Sequence, residues 1–202
     1  MTSCAIYVHG KGGSAAESKH YENLFSGCKV VGLEYQNDVP WKVNAEIFSA
    51  VNTLKKEYKD ITFIANSIGA YFSMHAGIDG MIKKAYFISP IVDMEGMIQG
   101  LMRSISLSEE ELKRRGRVAT PFGEDVTWKY LCYVREHPIR WKVPTHILYG
   151  SRDNLTPYDA IKSFADQFNA TLTVMEGGKH WFHTEEQMKF LDQWIGEKER
   201  CQ

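Results

Sequence analysis

Ser67 sits where an apolar strand runs out with no loop to follow. Ile61, Phe63 and Ile64 lead through Ala65 and Asn66 to the serine, and Ile68, Gly69 and Ala70 begin a helical stretch at once. A serine at the last position of a parallel strand points toward the crevice where such sheets bind ligands. For its hydroxyl to protrude, the chain must turn sharply from strand into helix, which leaves room only for small residues two before and two after. Ala65 and Gly69 fill both positions. The AxSxG spacing therefore suits a nucleophile elbow, with plain helix capping by Ser67 as the competing reading.

A serine hydroxyl is a weak nucleophile until a base removes its proton, so a histidine oriented by a carboxylate is required. "YGSRDNLTP" places Asp153 just past a later strand, ahead of a helix opened by Thr156 and Pro157; Asp93, in "ISPIVDMEG", is a second possible acid. "MEGGKHWFH" places His180 in a Gly-rich loop before the last helix, and His183 follows it beside Thr184 and the acidic first turn of Glu185 and Glu186. Asp153 and His180 are the favoured pair, in the chain order Ser, Asp, His of one known triad arrangement. Two backbone N–H groups must also face the developing oxyanion. Ile68 supplies one by following the serine at a helix N-terminus. The loop "HGKGGSA", residues 9–15, supplies the other, placed on the Lys11 amide; the loop lacks the GxxxxGK[ST] and GxGxxG spacings of phosphate cradles. His9 reads as a structural hydrogen-bonding residue.

Strands at 4–9, 29–35, 61–67, 84–89, 145–150 and 171–176 must position these groups, with helices at 15–26, 42–58, 68–79, 157–168 and 184–199 between them. Several strands are almost continuously apolar, as parallel strands covered on both faces are. The alternation argues for an α/β fold of one domain, 1–202, with a mostly parallel sheet. Residues 91–142 exceed a single crossover. They carry helical segments near 94–104 and 108–116 and an aromatic stretch from Trp128 to Trp141, and read as a small ordered lid inserted after the fourth strand.

The chain of 202 residues carries 24 basic and 25 acidic side chains, a net charge of −1, so no global field draws it to nucleic acid or an anionic membrane. Its four cysteines, Cys4, Cys28, Cys132 and Cys201, are scattered and read as free thiols. No window approaches the length of a membrane span, and a cytoplasmic protein is expected.

Together "YVHGKGGS", "IANSIGAY", "YGSRDNLTP" and "GGKHWF" resemble the oxyanion loop, nucleophile elbow, acid turn and histidine loop of the α/β-hydrolase family, over nearly the whole chain. Two features depart from the family pattern: Ala65 replaces the usual first glycine of the elbow, and the chain starts at what resembles the family's third strand. The resemblance implies a three-layer fold of about six parallel strands flanked by helices. It also implies an acyl-enzyme on Ser67, proton shuttling by His180, orientation by Asp153, and no metal or organic cofactor. The expected activity is a serine hydrolase of carboxylesterase type acting on a small or medium ester or thioester. A peptidase or amidase, or a binding protein retaining the fold, are the alternatives. Because an imidazole base must be neutral to accept a proton, turnover is expected to fall in acid. A rate that stays flat down to about pH 4 would exclude a histidine base.

Overall fold

In the computed structural model, which describes residues 2–121 and 123–200, the elements follow in chain order. They are β1 (Ser3–Val8), a 3-10 helix (Ala15–Asn23), β2 (Lys29–Leu33), α1 (Pro40–Lys55), β3 (Asp60–Asn66), α2 (Ile68–Met74), β4 (Lys84–Ile88), α3 (Met94–Ser104), α4 (Glu109–Arg115), β5 (Arg117–Ala119), β6 (Asp125–Thr127), α5 (Trp128–Glu136), β7 (Thr145–Gly150), α6 (Tyr158–Gln167), β8 (Thr171–Met175) and α7 (Glu185–Arg200). The chain divides into two compact units, Met1–Val92 with Arg140–Gln202, and Asp93–Ile139.

The first unit holds a six-stranded sheet in the order β2-β1-β3-β4-β7-β8, every neighbouring pair parallel, as the alternating sequence pattern predicts. The chain steps one way from β1 to β2, then back past β1 to β3 and onward. Right-handed crossovers then put the 3-10 helix on one face and α1, α2 and α6 on the other. Ala5, Tyr7, Ile64, Tyr86, Ile88, Leu148 and Met175 alternate onto the first face and pack with Tyr21, Phe25 and the Leu191, Trp194 and Ile195 stripe of α7. The intervening Ile6, Val8, Ile61, Phe63, Phe87 and Ile147 are equally buried on the second face. There α1 brings Val43, Ile47 and Val51 at one-turn spacing, and α6 brings Ile161, Phe164 and Ala165. At the strand starts, Lys84 is buried, with its Nζ 2.6 Å from Glu199 Oε1; Tyr86 donates its hydroxyl to the same oxygen at 2.5 Å. This shared carboxylate docks the last turns of α7. The reversal of winding direction falls between β1 and β3, so a crevice opens at their carboxyl ends.

Among the described residues, two expected helices differ: that at 68–79 stops at Met74 as α2, and that at 15–26 is not α-helical. Residues 15–26 form a shorter 3-10 segment whose Glu17 carboxylate is occupied by the Ser14 N–H and the Tyr7 hydroxyl. That tie draws the first turn down onto β1 in place of a regular α-helical start. Three of the four cysteines are free thiols, and Cys201 lies outside the described residues.

The second unit contains both helices expected at 94–104 and 108–116, as α3 and α4. The aromatic stretch resolves into α5, preceded by an antiparallel β5–β6 pair that its three-residue strands left unreadable in sequence. Ile98, Met102, Leu107, Leu112, Val118, Val126 and Leu131 are buried. Arg135 on α5 donates from Nε to Glu95 at 2.7 Å and from Nη1 and Nη2 to Glu109 at 2.5 and 2.8 Å, tying three helices together.

Leu191, 1% exposed at the centre of the α7 stripe, sets the docking of that helix. Leu191→Ala is expected to lower unfolding free energy by about 2–5 kcal/mol, read from urea titrations followed by circular dichroism. A loss under about 1 kcal/mol would show that α7 contributes little to the core.

Candidate active site

β3 ends at Asn66, and Ser67 takes φ 53° and ψ −122° before α2 begins. This conformation is strained for a residue with a side chain. It persists because Ser67 N–H donates to Ile88 O at 3.0 Å, while Ser67 O accepts from Ala70 N–H at 3.1 Å and Ile91 N–H at 3.2 Å. Gly69, two residues on, is needed on steric grounds. A methyl group on Gly69 would stand 2.4 Å from His9 O and 2.9 Å from Val8 O. The loop after β1 thus packs directly on the elbow, and Gly10 lies so near that a methyl there would meet Ser67 Cβ at 3.1 Å. Lys11 follows Gly10 in a turn closed by Gly13 N–H on Gly10 O at 3.2 Å. Ile68 opens α2.

Ser67 Oγ lies 2.7 Å from His180 Nε2, and His180 Nδ1 lies 2.7 Å from Asp153 Oδ2. An ionised carboxylate only accepts, so the His180 proton sits on Nδ1, and Nε2 is left as acceptor for the serine hydroxyl. The other carboxylate oxygen, Asp153 Oδ1, accepts from Leu155 N–H at 2.8 Å and Thr156 N–H at 3.0 Å. The Asp153 side chain is 0% exposed and that of His180 12%. Burial opposes the charged form of Asp153. The hydrogen bond and charge interaction with His180, joined by the amides of Thr156 and Leu155, outweigh it and hold the carboxyl below its ordinary 3.8.

The structure therefore brings Ser67, His180 and Asp153 into one hydrogen-bonded chain. Asp93 instead caps α3, accepting from Gly96 N–H at 2.8 Å. His183 Nε2 accepts from Trp181 Nε1–H at 3.1 Å. Among the described residues, no group of three or more His, Cys, Asp or Glu is arranged to hold a metal ion, and no helix is long and apolar enough to cross a membrane.

Sequence reasoning passed over the residues that hold this chain in place. Thr156 is buried; besides its amide bond to Asp153, its hydroxyl donates to Pro90 O at 3.2 Å and its carbonyl accepts from Tyr149 OH at 2.8 Å. Gln187, buried in the first turn of α7, donates to Lys179 O at 3.0 Å and so fixes the loop of His180. Thr156 had been legible only as a helix-opening residue, and Gln187 carries no sequence signal at all.

No protein-family model matches the sequence, and neither does any curated protein. Solved structures do match. Est1E from Butyrivibrio proteoclasticus superposes with a TM-score of 0.80 at 19% identity, covering 98% of this chain and 88% of that one. The chain has the α/β-hydrolase fold. Alpha/beta hydrolase domain-containing protein 10 from mouse gives a TM-score of 0.77 at 15% identity, over 98% of this chain and 89% of its own. An esterase from Pyrococcus furiosus gives 0.67 at 19% identity, over 97% and 79%. In this α/β-hydrolase sheet, Ser67, Asp153 and His180 leave the carboxyl ends of β3, β7 and β8.

A carboxyl whose value falls on folding binds fewer protons folded than unfolded. Its contribution to stability is complete above the ordinary value and disappears as pH falls through the lower folded one. The stability advantage of the parent protein over Asp153→Asn is therefore expected to be full at pH 7 and to shrink below about pH 4 in urea titrations. A gap that stays constant through that range would mean that the carboxyl is not held charged.

Proposed function

We propose that the protein is a serine hydrolase of carboxylesterase type, cleaving a small or medium carboxylic ester or thioester through an acyl-enzyme on Ser67. The observation that carries this reading is the unbroken Ser67–His180–Asp153 chain, with both links at 2.7 Å. Ser67 Oγ attacks the substrate carbonyl carbon as its proton passes to His180 Nε2, and Asp153 keeps the ring in the accepting tautomer. The Ile68 and Lys11 amides receive the developing oxyanion. His180 then protonates the leaving group, and a water molecule deprotonated by His180 hydrolyses the acyl-enzyme, returning the proton to Ser67.

Trp181, Leu155 and Tyr158 support an apolar acyl or alcohol moiety. They are 70%, 47% and 48% exposed, among the few large apolar side chains at the surface, and they lie on the segments that carry His180 and Asp153. No specific observation favours an amide over an ester. The scattered cysteines suit a reducing, cytoplasmic setting.

Ser67→Ala is expected to abolish both hydrolysis of short p-nitrophenyl esters and labelling by a fluorophosphonate probe, while melting like the parent. Undiminished labelling of the variant would refute the role of Ser67. A parent protein that takes no label would favour a binding protein on the same fold.

A further inference from the structure

We propose that Glu34, acting with Tyr35, is a positioning residue that holds the oxyanion loop against the nucleophile elbow; the inference rests on the hydrolase reading above. β2 ends at Leu33, beside β1, and its next two residues leave the sheet alongside the loop of residues 9–15. Both grip that loop. The Tyr35 ring stacks on the His9 imidazole, centroids 4.2 Å apart and planes within 6°, and its hydroxyl donates to His9 O at 3.1 Å. Glu34 reaches both ends of the loop with one carboxylate: Oε1 lies 3.1 Å from His9 Nε2, and Oε2 accepts from Ala15 N–H at 2.9 Å.

His9 links this clamp to the chemistry. It is 5% exposed, and its Nδ1 lies 2.7 Å from Gly10 O, the carbonyl of the peptide that contains the Lys11 amide. Both ring nitrogens thus face oxygen. Nε2 is within ion-pair range of Glu34 but without hydrogen-bond alignment, and it has no hydrogen-bond partner among the described residues. On the opposite side the His9 carbonyl packs against Gly69. A shift of His9 would therefore move the peptide before Lys11 and press on the elbow together.

Stability alone does not account for the arrangement. The Glu34 side chain is 48% exposed, and half-exposed ion pairs add little to folding. Placement is a different matter, because an error of about 1 Å in a catalytic group costs up to about 100-fold in rate.

The test measures p-nitrophenyl acetate turnover and inhibition by a short-chain alkyl trifluoromethyl ketone, whose serine adduct carries the oxyanion, in Glu34→Ala and Glu34→Gln. Glu34→Gln keeps an acceptor for Ala15 and loses the charge facing His9. Expected are a fall in kcat of about tenfold or more for Glu34→Ala and a smaller fall for Glu34→Gln, with KM within about twofold and ketone affinity weakening in step with kcat. The proposal is overturned if both variants match the parent, if the loss appears in KM while kcat holds, or if kcat falls with ketone affinity intact. Should Glu34→Ala fail to fold, Glu34→Gln decides by the same criteria. Fluorophosphonate labelling of the parent separates the two levels of failure. A labelled, active parent with unaffected variants removes only the role of Glu34, whereas an unlabelled, inactive parent removes the hydrolase reading and this inference with it.

Discussion

A serine held at φ 53° and ψ −122° carries about 1–3 kcal/mol of backbone strain, and the rest of the molecule is arranged so that it has nowhere else to go. Its N–H and C=O are both engaged by the segment leaving β4, through Ile88 and Ile91. Ser89, within that segment, is itself at φ 41° and is pinned by its N–H on Leu148 O at 2.8 Å. Ser67 thus bonds to a segment that is itself fixed to β7.

The same segment also sets the acid. Thr156 bonds Pro90 O with its hydroxyl and Asp153 with its amide, so Ser67 and Asp153 are both referenced to residues 88–91. The histidine loop is joined to the acid turn in turn, by Arg152 N–H on Gly178 O at 2.8 Å and Gly177 N–H on Ser151 Oγ at 2.8 Å. Three side chains far apart in sequence are therefore held by a closed circuit of mainly backbone bonds. Backbone bonds of this kind do not depend on the side chains that the surrounding surface carries.

Ser67, Asp153 and His180 were legible because each stands at the end of an apolar strand, where a turn signal and a helix start bracket it. The sheet was legible for a related reason: strands buried on both faces advertise themselves as continuous apolar runs. Glu34, Tyr35 and Gln187 were not legible. What each does depends on a partner brought close by the strand order, and a glutamate after a strand or a glutamine in a first helical turn looks like an ordinary solvated residue. The 3-10 helix failed for the same reason. Its spacing suits an α-helix, whereas its first turn is held by tertiary bonds, from Tyr7 to Glu17 and from the Ala15 N–H to Glu34. Short strands such as β5 and β6 fail differently, because three residues are too few to display a period.

The electrostatics of the site separate orientation from recognition. A carboxylate with 0% side-chain exposure carries a desolvation penalty of several kcal/mol, and Asp153 offsets it with two backbone amides and one imidazole. Neither amide is free to serve a ligand, so the buried end of the chain is committed to holding His180. The exposed apolar groups on the same loops, Trp181 above all, carry no such commitment. Their side chains take no part in the Asp153 cradle. The residues proposed for the chemistry are therefore the ones constrained by burial and spacing, and the exposed groups proposed to meet the substrate lie where neither constraint operates.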